Sequence, residues 1–101
     1  MKFEIAFAPE ALEDLAGLRA ADRAKVLDAI EVHLSYEPEK ISKSRIKRLR
    51  ELDHSQYRLR VDDIRVFYDV IYTVDAGSVE ILAIKSKADS IKWLTDFGDN
   101  R

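Results

Sequence analysis

The chain of 101 residues has no cysteine, three glycines, two prolines, one tryptophan and two histidines. Without cysteine there is no disulfide framework, no thiolate metal site and no cysteine nucleophile, and a cytoplasmic address fits best. No linker, low-complexity stretch or internal repeat breaks the chain. No uncharged run approaches the roughly 18–20 residues of a transmembrane helix, and Met1-Lys2-Phe3-Glu4 is too acidic and too short for a signal peptide. A membrane partner is therefore not expected. His33 and His54 lie too far apart to make a metal site. The HExxH, Walker, GxSxG and GxGxxG patterns are all missing, and the carboxylates show no pairing suited to acid–base work. Neither a metal nor a small-molecule cofactor is expected.

What is present describes a globular protein, because 47% of the residues are apolar and 36% charged. At this length one hydrophobic core suffices, so residues 1–101 are read as a single domain. The net charge of −2 argues, at face value, against a nucleic-acid partner. That average conceals a segregation. Residues 1–39 carry −5, residues 40–65 carry +5 and residues 66–101 carry −2. A local excess of this kind must find acidic protein or bind a polyanion.

Phe3 to Phe7 alternates as a short strand does. Pro9 suits a first helical turn, with Glu10, Glu13 and Asp14 at the positive end of the dipole. Leu12, Leu15 and Leu18 are the expected buried stripe, and Gly17 the end of that helix. A second helix is expected from Asp22, its N-cap, with Val26, Leu27, Ile30 and Leu34 inward and Pro38 beyond its end. From Ile46 the period becomes two: Ile46 to Leu52, Tyr57 to Val61, Ile64 to Tyr72 and Val79 to Ile84. Asp62-Asp63 is a two-residue hairpin turn, and Asp75-Ala76-Gly77-Ser78 holds the next one. Ser86 with Asp89 three residues on opens a capped C-terminal helix, with Ile91, Leu94 and Phe97 inward and Gly98 near its end. The architecture is α+β, in the order β-α-α-β-β-β-β-α, with a helical hairpin packed on one face of a twisted, mostly antiparallel sheet.

A turn at Asp62-Asp63 sets Val61 opposite Ile64, Arg60 opposite Arg65 and Arg58 opposite Phe67. Alternation then sends Tyr57, Leu59, Val61, Ile64, Val66, Tyr68 and Val70 to the helices. Arg58, Arg60 and Arg65 gather on the other face. Like charges opposite one another on a sheet are unfavourable, so such a cluster is either kept for an anion or neutralised by acids, of which Asp62, Asp63 and Asp69 are nearest. Arginines can grip a phosphodiester by bidentate, charge-assisted hydrogen bonds and stabilise its non-bridging oxygens. RNA cleavage by the neighbouring 2′-OH also needs a base whose pKa can fall, such as a lysine among other cations. Lys47, Lys85 and Lys87 are the candidates, Lys87 standing just past the last strand. His54, in the Asp53-His54-Ser55 turn, could also reach this face; His33 reads as a packed or capping residue.

In this order the elements resemble the RelE/ParE-type toxins of toxin–antitoxin modules. The matching stretches are Phe7-Ala8-Pro9-Glu10-Ala11-Leu12-Glu13-Asp14-Leu15, Ile46-Lys47-Arg48-Leu49 and Val79-Glu80-Ile81-Leu82-Ala83-Ile84. The most specific is Tyr57-Arg58-Leu59-Arg60-Val61-Asp62-Asp63-Ile64-Arg65-Val66-Phe67-Tyr68, with Asp62 where glycine is common. The resemblance implies a RelE-like fold and, on the RelE branch, metal-independent cleavage of mRNA in the ribosomal A site. It implies catalytic roles for Arg58, Arg60, Arg65 and Lys87, and RNA contacts from Lys47, Arg48, Arg50, Lys85 and Trp93. It also implies a cognate, RelB-like antitoxin. Ser90-Ile91-Lys92-Trp93 departs from that branch, which commonly has a tyrosine there; Trp93 can stack but cannot transfer a proton. The ParE branch, which inhibits DNA gyrase, is the alternative, as is a degenerate component that only binds an antitoxin.

Overall fold

The protein is described by a computed structural model over residues 1–49 and 55–98. The elements follow the expected order: β1 (Glu4–Phe7), α1 (Pro9–Ala16), α2 (Ala20–Leu34), β2 (Ile46–Arg48), β3 (Tyr57–Val61), β4 (Ile64–Tyr72), β5 (Gly77–Ser86) and α3 (Lys87–Trp93). A short π-helical turn, Leu94–Gly98, continues α3. The five strands form one sheet in the order β1-β5-β4-β3-β2, with β1 parallel to β5 and every other pair antiparallel.

Two cores lie on opposite faces of this sheet. On one face, Val26, Ile30 and Leu34 of α2 and Ala11 of α1 meet Leu59, Val66, Tyr68, Val79 and Ile81. On the other, Trp93 of α3 covers Phe67 and Ala83, with Leu49, Leu82 and Leu94 around them. Both sides of β4 are thus buried, which explains why Val66, Phe67 and Tyr68 are apolar in succession.

Several helix details depart from the expected pattern. Arg19, not Asp22, is the N-cap of α2; Asp22 falls inside the first turn and faces the Arg19 guanidinium at 3.4 Å. Leu12 is 53% exposed, because the short residue Ala11 is the one that meets the sheet, flanked by half-buried Leu15 and Leu18. Leu27 also faces outward. In α3, Ile91 is 73% exposed, since Ser90 and Trp93 occupy the inward positions. The Arg23 guanidinium ties the two helices together by donating to the carbonyls of Leu15 and Ala16, at the negative end of the α1 dipole, and of Leu18 in the connection.

The capped start of α3 is as read, with Ser86 Oγ accepting from the Asp89 amide at 3.1 Å. Asp62 takes the hairpin turn with φ of 52°. The β4–β5 turn is shifted from its expected place: Thr73 and Ala76 close it, while Gly77 already pairs with Tyr72. Glycine is needed at 77 because a Cβ there would stand 2.5 Å from the Phe3 ring. The expected extension of β2 through Arg50 to Leu52, the turn at Asp53 and His54, and the Phe97 side chain lie outside what is described. Among the described residues no helix is long and apolar enough to cross a membrane.

Candidate nucleic-acid interface

The register of β3 and β4 decides where the cations go. Arg60 pairs with Arg65, Arg58 with Phe67 and Val61 with Ile64. On the flanking strands Lys47 pairs with Arg58 and Lys85 with Arg65. Side chains that pair across a sheet share a face. The face away from α1 and α2 therefore carries two cationic rows, Arg60–Arg65–Lys85 and Lys47–Arg58, the second running on into Phe67 and Ala83.

A bulge in β5 makes this arrangement. Phe67 pairs with Ala83 and Tyr68 with Ile81, so Leu82 is an extra residue that reverses the alternation beyond it. Val79, Ile81 and Ile84 all reach the helix-side core despite their uneven spacing, and Lys85 falls in line with Arg65.

The three arginines differ in environment. Arg60 is exposed. Arg58 is half-buried, and burial together with the positive charges of Arg65 and Arg60 lowers its pKa. Its Nε is buried and makes no hydrogen bond among the described residues. Arg65 is 7% exposed, and its Nη1 donates to the carbonyls of Asp62 at 2.9 Å and Ile64 at 3.2 Å. Backbone oxygens thus anchor Arg65 without cancelling its charge. The nearby acids offset the group only in part, Asp62 being felt by Arg60 but hydrogen-bonded elsewhere. Asp62 is paired with Lys25 of α2 at 2.9 Å, and Asp69 Oδ1 accepts from the Gln56 amide at 2.7 Å. A cluster of like charges supported in this way is suited to an anion with several oxygens.

The other residues singled out from the sequence divide by position. Lys47 is exposed on the cationic face. Lys87 begins α3, its amide donating to the Asp63 carbonyl at 2.8 Å and docking the helix on the hairpin turn, with the side chain exposed. Lys85 is held by Glu10 at 2.8 Å and Asp14 at 3.0 Å, both on α1. Burial alone would lower its pKa, but the hydrogen bonds to those carboxylates outweigh burial and raise it. Arg48 lies on the helix-side face, over the Tyr57 ring, with Nη1 donating to the Leu49 and Gln56 carbonyls. Trp93 is 8% exposed and stacked on Phe67 with ring centroids 4.8 Å apart. Arg50 and His54 lie outside the described residues. His33 lines a separate cavity of about 200 Å3 with Tyr36, Ser42 and Arg45, and burial lowers its pKa.

Two features were not anticipated. Glu10 and Asp14 neutralise Lys85 across 75 and 71 residues of sequence, and no local pattern signals that contact. Arg45 stands beside Arg60, whose amide donates to the Arg45 carbonyl at 2.8 Å. Strand parity carried backward from Lys47 would have found Arg45 on the cationic face. Among the described residues no group of three His, Asp or Glu side chains could hold a metal ion.

Neither a protein-family model nor a curated protein sequence matches the chain. Solved structures match its fold. A chain of the RelBE2 toxin–antitoxin complex of Mycobacterium tuberculosis is 23% identical with a TM-score of 0.68, over 85% of this chain and 99% of that one. A chain of the archaeal RelE–RelB complex of Pyrococcus horikoshii OT3 is 24% identical with a TM-score of 0.68, over 89% of this chain and all of that one. The free E. coli toxin RelE, in a doubly arginine-to-alanine substituted form, is 19% identical with a TM-score of 0.66, over 97% and 95% of the two chains. The α+β fold of this protein is the RelE fold.

Proposed function

We propose that residues 1–101 form the toxin domain of a type II toxin–antitoxin module, and that it cleaves mRNA on the ribosome in the cytoplasm. The observation that carries this reading is the group Arg58, Arg60 and Arg65 on one sheet face, forming no salt bridge among the described residues, in a fold shared with RelE toxins. Arg58 and Arg65 hold the scissile phosphate, and the exposed Arg60 adds charge to its non-bridging oxygens as negative charge develops. The 2′-OH attacks the neighbouring phosphorus and the 5′-oxygen leaves, giving a 2′,3′-cyclic phosphate and a 5′-OH. One proton leaves the 2′-oxygen and one reaches the 5′-oxygen.

Lys85 keeps its proton between two carboxylates, so the proton-moving lysines are Lys87 and Lys47. Trp93 takes no part in proton transfer; stacked on Phe67, it fixes α3 beside the site. Two of the similar structures are complexes of RelE with RelB. By the same logic a RelB-like antitoxin neutralises this chain by covering its cationic face.

Induced expression with primer extension on a reporter mRNA tests the proposal. Codon-phased cuts are expected. Arg60→Ala should abolish both the cuts and the growth arrest with its melting temperature unchanged, because the exposed Arg60 side chain makes no hydrogen bond among the described residues. Growth arrest without such cuts, accompanied by loss of supercoiling activity, would mark a gyrase inhibitor instead. Absence of toxicity would leave only an antitoxin-binding role.

A further inference from the structure

We propose that the cleft between Ser44, Arg45 and Arg60 is a subsite for a second backbone phosphate of the RNA, adjacent to the scissile one. The inference rests on the endonuclease reading and adds to it the path of the strand, which leaves the sheet across the β2 edge.

Arg60 stands between two cationic neighbours. On the β4 side it pairs with Arg65, and on the β2 side its amide is bonded to the Arg45 carbonyl at 2.8 Å. Adjacent strands lie about 4.8 Å apart, so Arg65, Arg60 and Arg45 step across the sheet edge at nearly regular intervals. The cleft at the Arg45 end has a volume of about 270 Å3 and is lined by Ser44, Arg45, Arg60 and Asp62. Two guanidiniums supply ten N–H donors and Ser44 one hydroxyl, a set matched to phosphate oxygens.

Asp62 is the one acid in the lining among the described residues, and its charge would repel a phosphate. Lys25 answers it at 2.9 Å. That pairing offsets the charge of Asp62, leaving Arg45, beside an Arg60 that stands between the two phosphates, to meet one phosphate diester next to the scissile one. Arg45 is suited to a ligand-facing role because its side chain is exposed, and within the fold its charge is felt by His33 of the neighbouring cavity. Its amide is held by Ser42 Oγ and its carbonyl by Arg60, while its guanidinium makes no hydrogen bond among the described residues.

The test uses the full chain and a fluorescent tetraribonucleotide made non-cleavable by a 2′-deoxy sugar 5′ to its central linkage. Either outer linkage is replaced by a neutral methylphosphonate, and binding is read by anisotropy at low ionic strength. Arg45→Ala should weaken binding of the fully charged oligomer about threefold, as expected for an exposed charge contact. Neutralising one of the two outer linkages should weaken the wild type equally and cost nothing more in Arg45→Ala. Arg45→Lys should recover most of the loss. Equal binding by Arg45→Ala and wild type, or losses that add for both outer linkages, would overturn the subsite while Arg58→Ala still weakens every oligomer. If Arg58→Ala also has no effect, or the wild type binds none of them even at low ionic strength, the arginine group does not grip phosphate directly and the subsite falls; codon-phased cutting on the ribosome then decides the endonuclease reading separately.

Discussion

At the scale of single residues, Asp14 does more for the fold than its place in an acidic helix suggests. One carboxylate oxygen accepts from the Ile84 amide at 2.9 Å and the other from Lys85 Nζ at 3.0 Å. β1 pairs with β5 only as far as Ile81, so the amide of Ile84 lies on a stretch of strand edge that β1 does not reach. Asp14→Ala would leave that amide without its acceptor, at a cost of about 1–3 kcal/mol. Lys85→Met keeps the hydrocarbon stem and removes only the charge. Because the pKa of Lys85 is raised in the folded chain, its pairing stabilises the protein fully below the ordinary lysine value of 10.5 and loses that contribution as pH rises through the folded value. Urea unfolding at several pH values checks this. The gap between wild type and Lys85→Met should be constant from pH 6 to 9 and close only in strong alkali.

At the scale of elements, the hairpin was legible in the sequence because both its determinants are local. Alternation fixes the faces, and Asp62 can adopt the left-handed turn, so the pairing of Arg60 with Arg65 follows from counting. The start of α3 was legible for the same reason, since Ser86 and Asp89 are three residues apart. The bulge at Leu82 was not legible. A continuous apolar run from Ile81 to Ile84 hides which residue is the extra one, and only pairing with β4 reveals it. Nor could the sequence assign Trp93, because an aromatic residue at the end of a short helix suits a ligand platform and a core equally. The second core on the cationic side of the sheet decides it. Trp93→Ala removes the ring that covers Phe67, at a cost of about 3 kcal/mol or more. A seven-residue helix cannot persist without its docking contact. Amide exchange should therefore rise sharply through α3 in that variant while β3 and β4 stay protected. Uniform loss of protection across the sheet would mean that α3 is part of the global folding unit.

At the scale of the whole molecule, the distribution of charge matters more than its sum. The chain is −2 overall, yet the acidic helices lie on one face of the sheet and the arginine group on the other. Of the positive residues brought to that second face, Lys85 is answered by Glu10 and Asp14, and the cation Lys25 is occupied by Asp62 at the hairpin tip. The charge left to meet phosphate is concentrated on Arg58, Arg60 and Arg65, with Lys47 beside them and Arg45 at the edge. Each phosphate neutralised on a single strand contributes about −0.7 to the slope of log K against log salt, so engagement of the scissile phosphate and one neighbour predicts a slope of about −1.4. Raising salt from 50 to 200 mM should then weaken binding of a short non-cleavable RNA by roughly sevenfold, read by anisotropy. A slope near −4 would show that lysines outside the cluster also bind the strand. Acids on the far side repel the rest of a long polyanion, so affinity should stop rising once the RNA exceeds the few nucleotides that span the cluster. A surface of this kind gains little from naked RNA and needs the ribosome to present the strand.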